Sequence, residues 1–151
     1  MYDIVALGEL LIDFTTQSTD ADGYPTMAAH PGGAPANFLA AVAQFGGKAA
    51  LLGKVGTDTF GKLLTGTLRK AGIETKGIVA SDDVFTTLAF VTLDENGDRE
   101  FAFARKPGAD NDVSRRGIRK SARKASHIRP QSAQAAVEKP RRCERADALG
   151  A

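Results

Sequence analysis

The sequence predicts an α/β fold built around a parallel sheet, and three features of residues 1–110 lead to this prediction. Short apolar segments alternate with helix-like segments, and glycine turns separate them. A later pair of strand-like segments flanks an Asn-Gly dipeptide, which is a strong hairpin signal. With 151 residues and 42% hydrophobic content, the chain is long enough to bury the core of one domain.

The first elements are predicted from apolar runs and the polar segment between them. Residues 3–8 form an apolar run that ends in glycine, which predicts a buried strand, and the next residues extend this strand to Asp13. Residues 16–30 are polar and contain Gly23 and Pro25, so they are predicted to be a loop or a short edge ribbon.

Two helices and a strand follow. Residues 35–45 predict a helix that is apolar on nearly every face, and residues 48–55 predict a strand. A second helix is predicted over residues 59–71, with Thr57 or Asp58 as its N-cap and glycine just after its end. The hairpin signal then joins strands 85–93 and 99–105.

The turn before the first helix is a candidate binding site. Gly32 and Gly33 lack Cβ atoms, so a small ligand could approach their backbone closely. Asn37 follows in the first turn of a helix predicted to be buried, where a polar side chain needs a partner such as a hydroxylated ligand. The turn is neither a P-loop nor a dinucleotide-binding motif, because the required Gly-Lys-Ser/Thr and G-x-G-x-x-G patterns are absent.

Residues 31–61, PGGAPANFLAAVAQFGGKAALLGKVGTDTFG, resemble the N-terminal signature of the ribokinase-like sugar kinases, the phosphofructokinase-B family. The Gly-Gly-Ala-Pro-Ala-Asn form is most similar to the fructokinase branch. The resemblance implies that residues 1–112 are the N-terminal, sugar-binding part of a ribokinase-like, Rossmann-like parallel-sheet sandwich. It also implies a small β lid at about residues 85–105.

The resemblance implies a set of sugar-contacting residues. Asp13 matches the aspartate that accepts hydrogen bonds from sugar hydroxyls, for which a carboxylate is well suited; the alternative is a solubilising residue at a strand end. Gly32, Gly33 and Asn37 match the family's glycine pair and asparagine, and the alternative is a tight turn that needs no ligand.

The lid is expected to contribute the remaining contacts. By resemblance, Arg105 would reach a substrate oxygen from above, and Phe101 or Phe103 would close the pocket wall. The sequence has Ala104 where a tyrosine is common, and Arg105 as a solvated strand residue is the alternative.

The second signature of the family, Asp-Thr-x-Gly-Ala-Gly-Asp, does not occur in the sequence. By resemblance, that motif supplies the catalytic base and the groups that stabilise the transferred phosphoryl group. We therefore assign no catalytic or metal-binding residue. ATP and Mg²⁺ are implied for full-length members, and none is expected for this chain alone. The resemblance implies a carbohydrate kinase by family, and this chain is expected to lack the catalytic base and the ATP site.

Residues 113–151 differ in composition from the rest of the chain. Residues 114–151 contain eleven basic and three acidic residues, against nine and fifteen in residues 1–113. The segment has one leucine and no aromatic residue, which predicts a disordered or weakly helical tail. A frameshift near residues 111–114 would give such a composition, and a designed or natural truncation is the alternative.

Three functions follow from these observations. The first is the substrate-binding part of an ATP-dependent sugar kinase with fructose as its substrate, inactive alone. The second is a non-catalytic sugar-binding or regulatory module that pairs with a full-length kinase, and homodimerisation through the lid is an option. The third, nucleic-acid binding by the basic tail, is disfavoured because no aromatic residues lie between the basic ones. The single cysteine and the lack of a long apolar run predict a cytoplasmic protein without a membrane span.

Overall fold

A computed structural model describes residues 1–93, 96 and 98–110, and the predicted basic tail lies outside these residues. The elements in chain order are β1 (Ile4–Leu7), β2 (Leu11–Thr19), β3 (Pro25–Gly32), α1 (Ala34–Gln44), β4 (Ala49–Gly56), α2 (Thr59–Lys70), β5 (Ile78–Ser81), β6 (Leu88–Leu93) and β7 (Arg99–Ala104).

Three of the strands form a parallel sheet, the body sheet, in the order β1-β4-β5. Residues of both helices and of this sheet share one hydrophobic cluster, so α1 and α2 pack on the same face. Leu39 of α1, Leu64 of α2 and Leu51 of β4 are fully buried in this cluster. The predicted α/β architecture is confirmed, because parallel strands connected through helices pack in this way.

The other four strands form a mixed sheet, the lid sheet, in the order β3-β2-β6-β7. Strands β2 and β6 run parallel, while β3 and β7 are antiparallel to their neighbours. The predicted hairpin of residues 85–93 and 99–105 is confirmed by the pairing of β6 with β7. The lid sheet is larger than predicted, because two of its strands come from residues 11–32.

One prediction for residues 3–30 was wrong, and another was confirmed in one of its two forms. The strand expected to run from residue 3 to Asp13 is two strands in different sheets, and residues 8–10 connect them. Residues 16–30 were expected to be a loop or a short edge ribbon, and the ribbon is confirmed: most of these residues belong to the β2–β3 hairpin, in which β3 is an edge strand of the lid sheet. Its turn is stabilised by Asp20, whose Oδ1 accepts hydrogen bonds from the backbone N–H groups of Asp22 and Tyr24 at 3.0 and 2.8 Å.

The two faces of the lid sheet have different environments. Phe14 of β2 stacks on Phe90 of β6 at 5.4 Å between ring centroids, and it meets Phe60 of α2 edge-on at 5.5 Å. This face therefore packs against the body. Because neighbouring residues of a strand point to opposite faces, the side chains of Asp13 and Thr15 lie on the other face, which we call the open face.

Helix α2 begins and ends as predicted. Asp58 is its N-cap, and its Oδ1 accepts a hydrogen bond from the Gly61 N–H at 2.8 Å. Gly72 follows the helix with φ +77°, a conformation that glycine adopts readily. Among the described residues, neither helix has the length and apolar character needed to cross a membrane.

Helix α1 is less buried than its apolar sequence suggested. Ala36 and Leu39 face the core, but Asn37 is exposed and Phe38 is 54% exposed. The helix packs on β1 and β4, and Ala36 and Leu39 are its buried residues. The expectation that Asn37 needs a ligand because it lies in a buried helix is therefore wrong.

Candidate functional site

The strand register arranges the open face in rows of neighbouring residues. Asp13 of β2 pairs with His30 of β3 on one side and with Ala89 of β6 on the other, and Ala89 in turn pairs with Phe103 of β7. Directly paired residues point to the same face of a sheet. Asp13 and Phe103, which are 90 positions apart in the sequence, therefore lie in one row.

Gly32 makes room for the carboxylate of Asp13. A Cβ atom added to Gly32 would overlap Asp13 Oδ2 and would lie 2.8 Å from Asp13 Cγ. Gly32 is itself buried, so its missing side chain is used by Asp13 in this structure rather than by a ligand approaching the backbone. The glycine thus fixes where the carboxylate lies.

The environment of Asp13 favours its protonated form more than water does. Burial raises the pKa of the Asp13 carboxyl, and the nearby charge of His30 offsets part of this increase. A partly buried carboxylate is stabilised by hydrogen-bond donors. Asp13 is therefore suited to accept hydrogen bonds from hydroxyl groups.

A cavity of about 280 Å³ lies on the open face beside Asp13. The second row of the face, Thr15, Val91 and Phe101, crosses this cavity. Because neighbouring strands are about 4.8 Å apart, Thr15 and Phe101 stand roughly 10 Å from each other across Val91. The lining combines a carboxylate, a threonine hydroxyl and an aromatic ring, which together can bind a small polyhydroxylated molecule.

Gly33 and Asn37 belong to the start of helix α1. Gly33 is the N-cap with φ +113°, and a Cβ atom there would lie 2.6 Å from the carbonyl oxygen of Glu9. The Asn37 N–H donates to the Gly33 carbonyl at 3.0 Å, and the Asn37 side chain is exposed. The connection between the two sheets therefore packs directly against the glycine turn.

Arg105 is held between two carboxylates. Its Nη2 atom lies 3.0 Å from Glu9 Oε2, and its Nε atom lies 3.0 Å from Asp110 Oδ2. Its guanidinium carbon also lies 4.2 Å from the centroid of the Phe103 ring, a cation–π contact. Asp110 is buried and hydrogen-bonded to the hydroxyl of Thr87.

The structure brings the predicted site residues together in part. Asp13 and Phe101 line the cavity, and Gly32 contacts Asp13. Phe103 and Arg105 contact each other. The residues that line the cavity do not include Phe103, Arg105, Gly33 or Asn37. Whether these residues touch a substrate stays a prediction.

Several contributions were not predicted from the sequence. The cavity is also lined by Thr15, Thr16, Val91, Leu93 and Arg99, and the alternation of LAFVTL places Val91 on the face opposite Phe90. Glu9 pairs with Arg105 across 96 positions of the chain, and no local pattern reports such a pairing.

Residues 1–93, 96 and 98–110 contain no group of three or more His, Cys, Asp or Glu side chains able to hold a metal ion. We derive no step through ATP or Mg²⁺.

Comparison with known proteins identifies the family. The family model described as pfkB family carbohydrate kinase matches residues 1–135, most of the chain. The chain belongs to this family. The family match extends past residue 112, into the segment that the sequence marked as different.

Similar proteins and structures agree with this assignment. The carbohydrate-kinase chain is 49% identical over 109 residues to probable fructokinase-3 of Arabidopsis thaliana and 47% identical to fructokinase-1 of Oryza sativa. It spans 71% of its own length in both comparisons, but only 32% and 34% of those relatives. The chain therefore covers about a third of the curated relatives it matches.

Solved structures show the same fold. A fructokinase from Xylella fastidiosa superposes with a TM-score of 0.67 at 42% identity, covering 71% of this chain and 34% of that one. The same enzyme has been solved with bound ATP. A fructokinase from Vibrio cholerae superposes with a TM-score of 0.66 at 26% identity and covers 85% of this chain. These matches confirm the ribokinase-like fold class.

Proposed function

We propose that this chain is the sugar-binding part of a fructokinase-type carbohydrate kinase and that fructose is the sugar it binds. One observation carries the proposal: the Asp13 carboxylate, seated on the Cβ-less Gly32, lies at the wall of a cavity on the open face of the lid sheet. The fructokinases that the chain resembles support the choice of fructose.

The cavity offers complementary contacts for a monosaccharide. The carboxylate of Asp13 accepts hydrogen bonds from two neighbouring hydroxyls, and the hydroxyl of Thr15 can donate or accept another. The Phe101 ring covers the apolar C–H face of the sugar. The role of Asp13 is to bind and orient the sugar.

Phosphoryl transfer is proposed to need residues that this sequence does not contain. The Asp-Thr-x-Gly-Ala-Gly-Asp signature, whose last aspartate serves as the base in complete members, is absent. We therefore expect the chain alone to bind fructose without converting ATP to ADP. A coupled ADP-release assay with fructose checks this expectation.

The Gly32→Ala variant tests the binding site. The added methyl group would displace the Asp13 carboxylate, so the Kd for fructose in isothermal titration calorimetry should rise by roughly tenfold or more, the loss of one charged hydrogen bond. Gly66→Ala is the matched control, because a Cβ atom at Gly66 meets nothing within 4 Å in the middle of α2. Equal affinities in both variants would refute the proposed site.

A pairing module is a second candidate, and one observation favours it. Leu93, Phe101 and Phe103 are 66%, 52% and 49% exposed on the lid sheet, which is an apolar surface that a partner lid could cover. We propose either a homodimer or a complex with a full-length kinase through this surface. Analytical ultracentrifugation of the chain, alone and mixed with such a kinase, distinguishes the two, and a Leu93→Lys variant should abolish both.

We also propose a cytoplasmic location. The single cysteine of the sequence cannot form an intramolecular disulfide, which fits a reducing compartment. Fluorescence microscopy of a tagged chain tests this proposal.

A further inference from the structure

One charged network closes the end of the lid sheet that adjoins the body. Strands β2 and β6 begin at this end, while β7 finishes there. Glu9 lies two residues before β2, Thr87 lies directly before β6, and Arg105 lies directly after β7. The ion pairs of Arg105 and the hydrogen bond from Thr87 to Asp110 therefore link three strands of one sheet.

The two partners of Arg105 differ in burial. The Asp110 side chain is 5% exposed and also contacts the Thr87 hydroxyl, so this half of the network is fixed. The Glu9 side chain is 37% exposed, and the side chain of Arg105 is 32% exposed. Solvent and salt reach the Arg105–Glu9 pair, so this ion pair breaks and re-forms more readily than the Arg105–Asp110 pair.

Glu9 connects this network to the predicted sugar contacts. It lies in the three-residue connection between β1 of the body sheet and β2 of the lid sheet. Its carbonyl oxygen packs against Gly33, and β2 carries Asp13 four residues later. Glu9 is therefore joined directly to the glycine turn by packing and to Asp13 through the backbone of β2.

We infer that Arg105 is a positioning residue for the sugar site and that Glu9 is the partner through which it acts. Arg105 fixes the body end of β7 to the start of β2 and holds the Phe103 ring by a cation–π contact. The inference rests on the proposed function, and it assigns to Arg105 a role different from direct contact with a substrate oxygen.

A double-mutant cycle with fructose as the probe tests this inference on the full chain. Glu9→Gln should raise the Kd for fructose by about two- to fivefold, the size expected for a partly exposed ion pair. The effect of Glu9→Gln should vanish in an Arg105→Gln background, because the partner is already lost. If Arg105 bound the sugar directly, Glu9→Gln would release it, and affinity would stay equal or increase.

Salt dependence and a conservative variant sharpen the test. The Kd of the wild-type chain should rise between 50 mM and 500 mM NaCl, whereas that of Glu9→Gln should not, because the pair that salt screens is absent. Arg105→Lys keeps the charge but loses the planar fork that reaches two carboxylates, so it should restore affinity only in part. Glu100→Gln, a neighbouring exposed carboxylate on β7, is the control and should leave the Kd unchanged.

Hydrogen exchange separates failure of this inference from failure of the proposed function. Peptides covering residues 85–93 and 98–105 should exchange faster in Glu9→Gln than in Glu100→Gln, whether or not fructose binds. If the wild-type chain binds no fructose but this difference is present, the proposed function fails and the positioning network stands. Equal exchange in the two variants would overturn the inference.

Discussion

At the scale of single residues, Asp13 combines its proposed binding role with a cost in stability. Burial raises the pKa of its carboxyl above the ordinary value, with His30 offsetting part of the increase. The folded chain therefore binds a proton more readily than the unfolded chain. It follows that the free energy of unfolding falls as pH rises from about 3.9, the unfolded value, through the higher folded value.

We therefore predict opposite effects of Asp13→Asn on stability and on binding. The variant should be the more stable chain at pH 7, because it removes the partly buried charge, and it should bind fructose roughly tenfold or more weakly. Thermal melts between pH 3 and pH 7 and calorimetric titrations measure the two effects. If Asp13→Asn were less stable than wild type by a margin that grew with pH, the raised pKa of the Asp13 carboxyl would be contradicted.

Asp58 shows the opposite behaviour. Burial raises the pKa of its carboxyl, but hydrogen bonds from the Thr86 and Gly61 N–H groups outweigh this and lower the pKa overall. Its stabilising contribution is therefore present above about pH 3.9 and is lost as pH falls through the lower folded value.

Asp58→Ala should destabilise the fold by about 2–4 kcal/mol at pH 7, since it removes an N-cap and leaves the buried Thr86 without its acceptor. Urea denaturation at pH 7 and at pH 3 provides the measurement, and the difference from wild type should shrink in acid. Asp22→Ala, in the exposed β2–β3 turn, is the control and should lie within about 0.5 kcal/mol of wild type.

At the scale of elements, the lid sheet is held to the body by a small aromatic cluster. Phe14 contacts both Phe60 of α2 and Phe90 of β6. Phe14→Ala should cost about 2–3 kcal/mol, somewhat below the value for a fully buried phenylalanine, because Phe14 is only partly buried. Chemical denaturation measures the loss. Phe45→Ala, at a side chain that is 92% exposed, should leave the free energy of unfolding unchanged. An equal loss in both variants would show that the aromatic cluster does not hold the lid sheet to the body.

The sequence predicted those elements that carry a local signal and missed those that depend on tertiary contacts. Asp58 and the glycine after α2 mark the helix boundaries correctly, because capping is decided within a few residues. The β2–β3 hairpin was predicted only as an alternative to a loop, because its outward positions are threonine, serine and glutamine, a composition typical of loops. The burial of α1 was overestimated because an apolar helix sequence does not report which neighbours cover it.

The candidate site was predictable where a motif specified it. Asp13 and the glycine pair were found from their resemblance to a family signature, yet the packing of the carboxylate on Gly32 required the strand register. The contacts of Arg105 with Glu9 and Asp110 combine distant segments, and charge alone does not identify partners.

At the scale of the whole molecule, the relation between residues 1–112 and the basic tail is open to a direct test. We propose that the reading frame changes near residues 111–114, although the family model matches to residue 135. Sequencing the encoding DNA from codon 105 to its end and translating all three frames should reveal an apolar α/β continuation with Asp-Thr-x-Gly-Ala-Gly-Asp. If no frame encodes it, the frameshift is excluded, and fructose binding by this chain becomes the property to pursue.

Strand β1 has a consequence for the time course of synthesis. Of the described strands it is the first to be made, and within residues 1–93, 96 and 98–110 it pairs on one edge only, with β4. Ribosomes add roughly 5–20 residues per second. The described residues supply no strand that pairs with the second edge of β1, so that edge stays unpaired at least until Asp110 has been made, roughly 5–20 s after Ile4. During this interval the nascent chain presents unpaired backbone N–H and C=O groups to every other strand nearby.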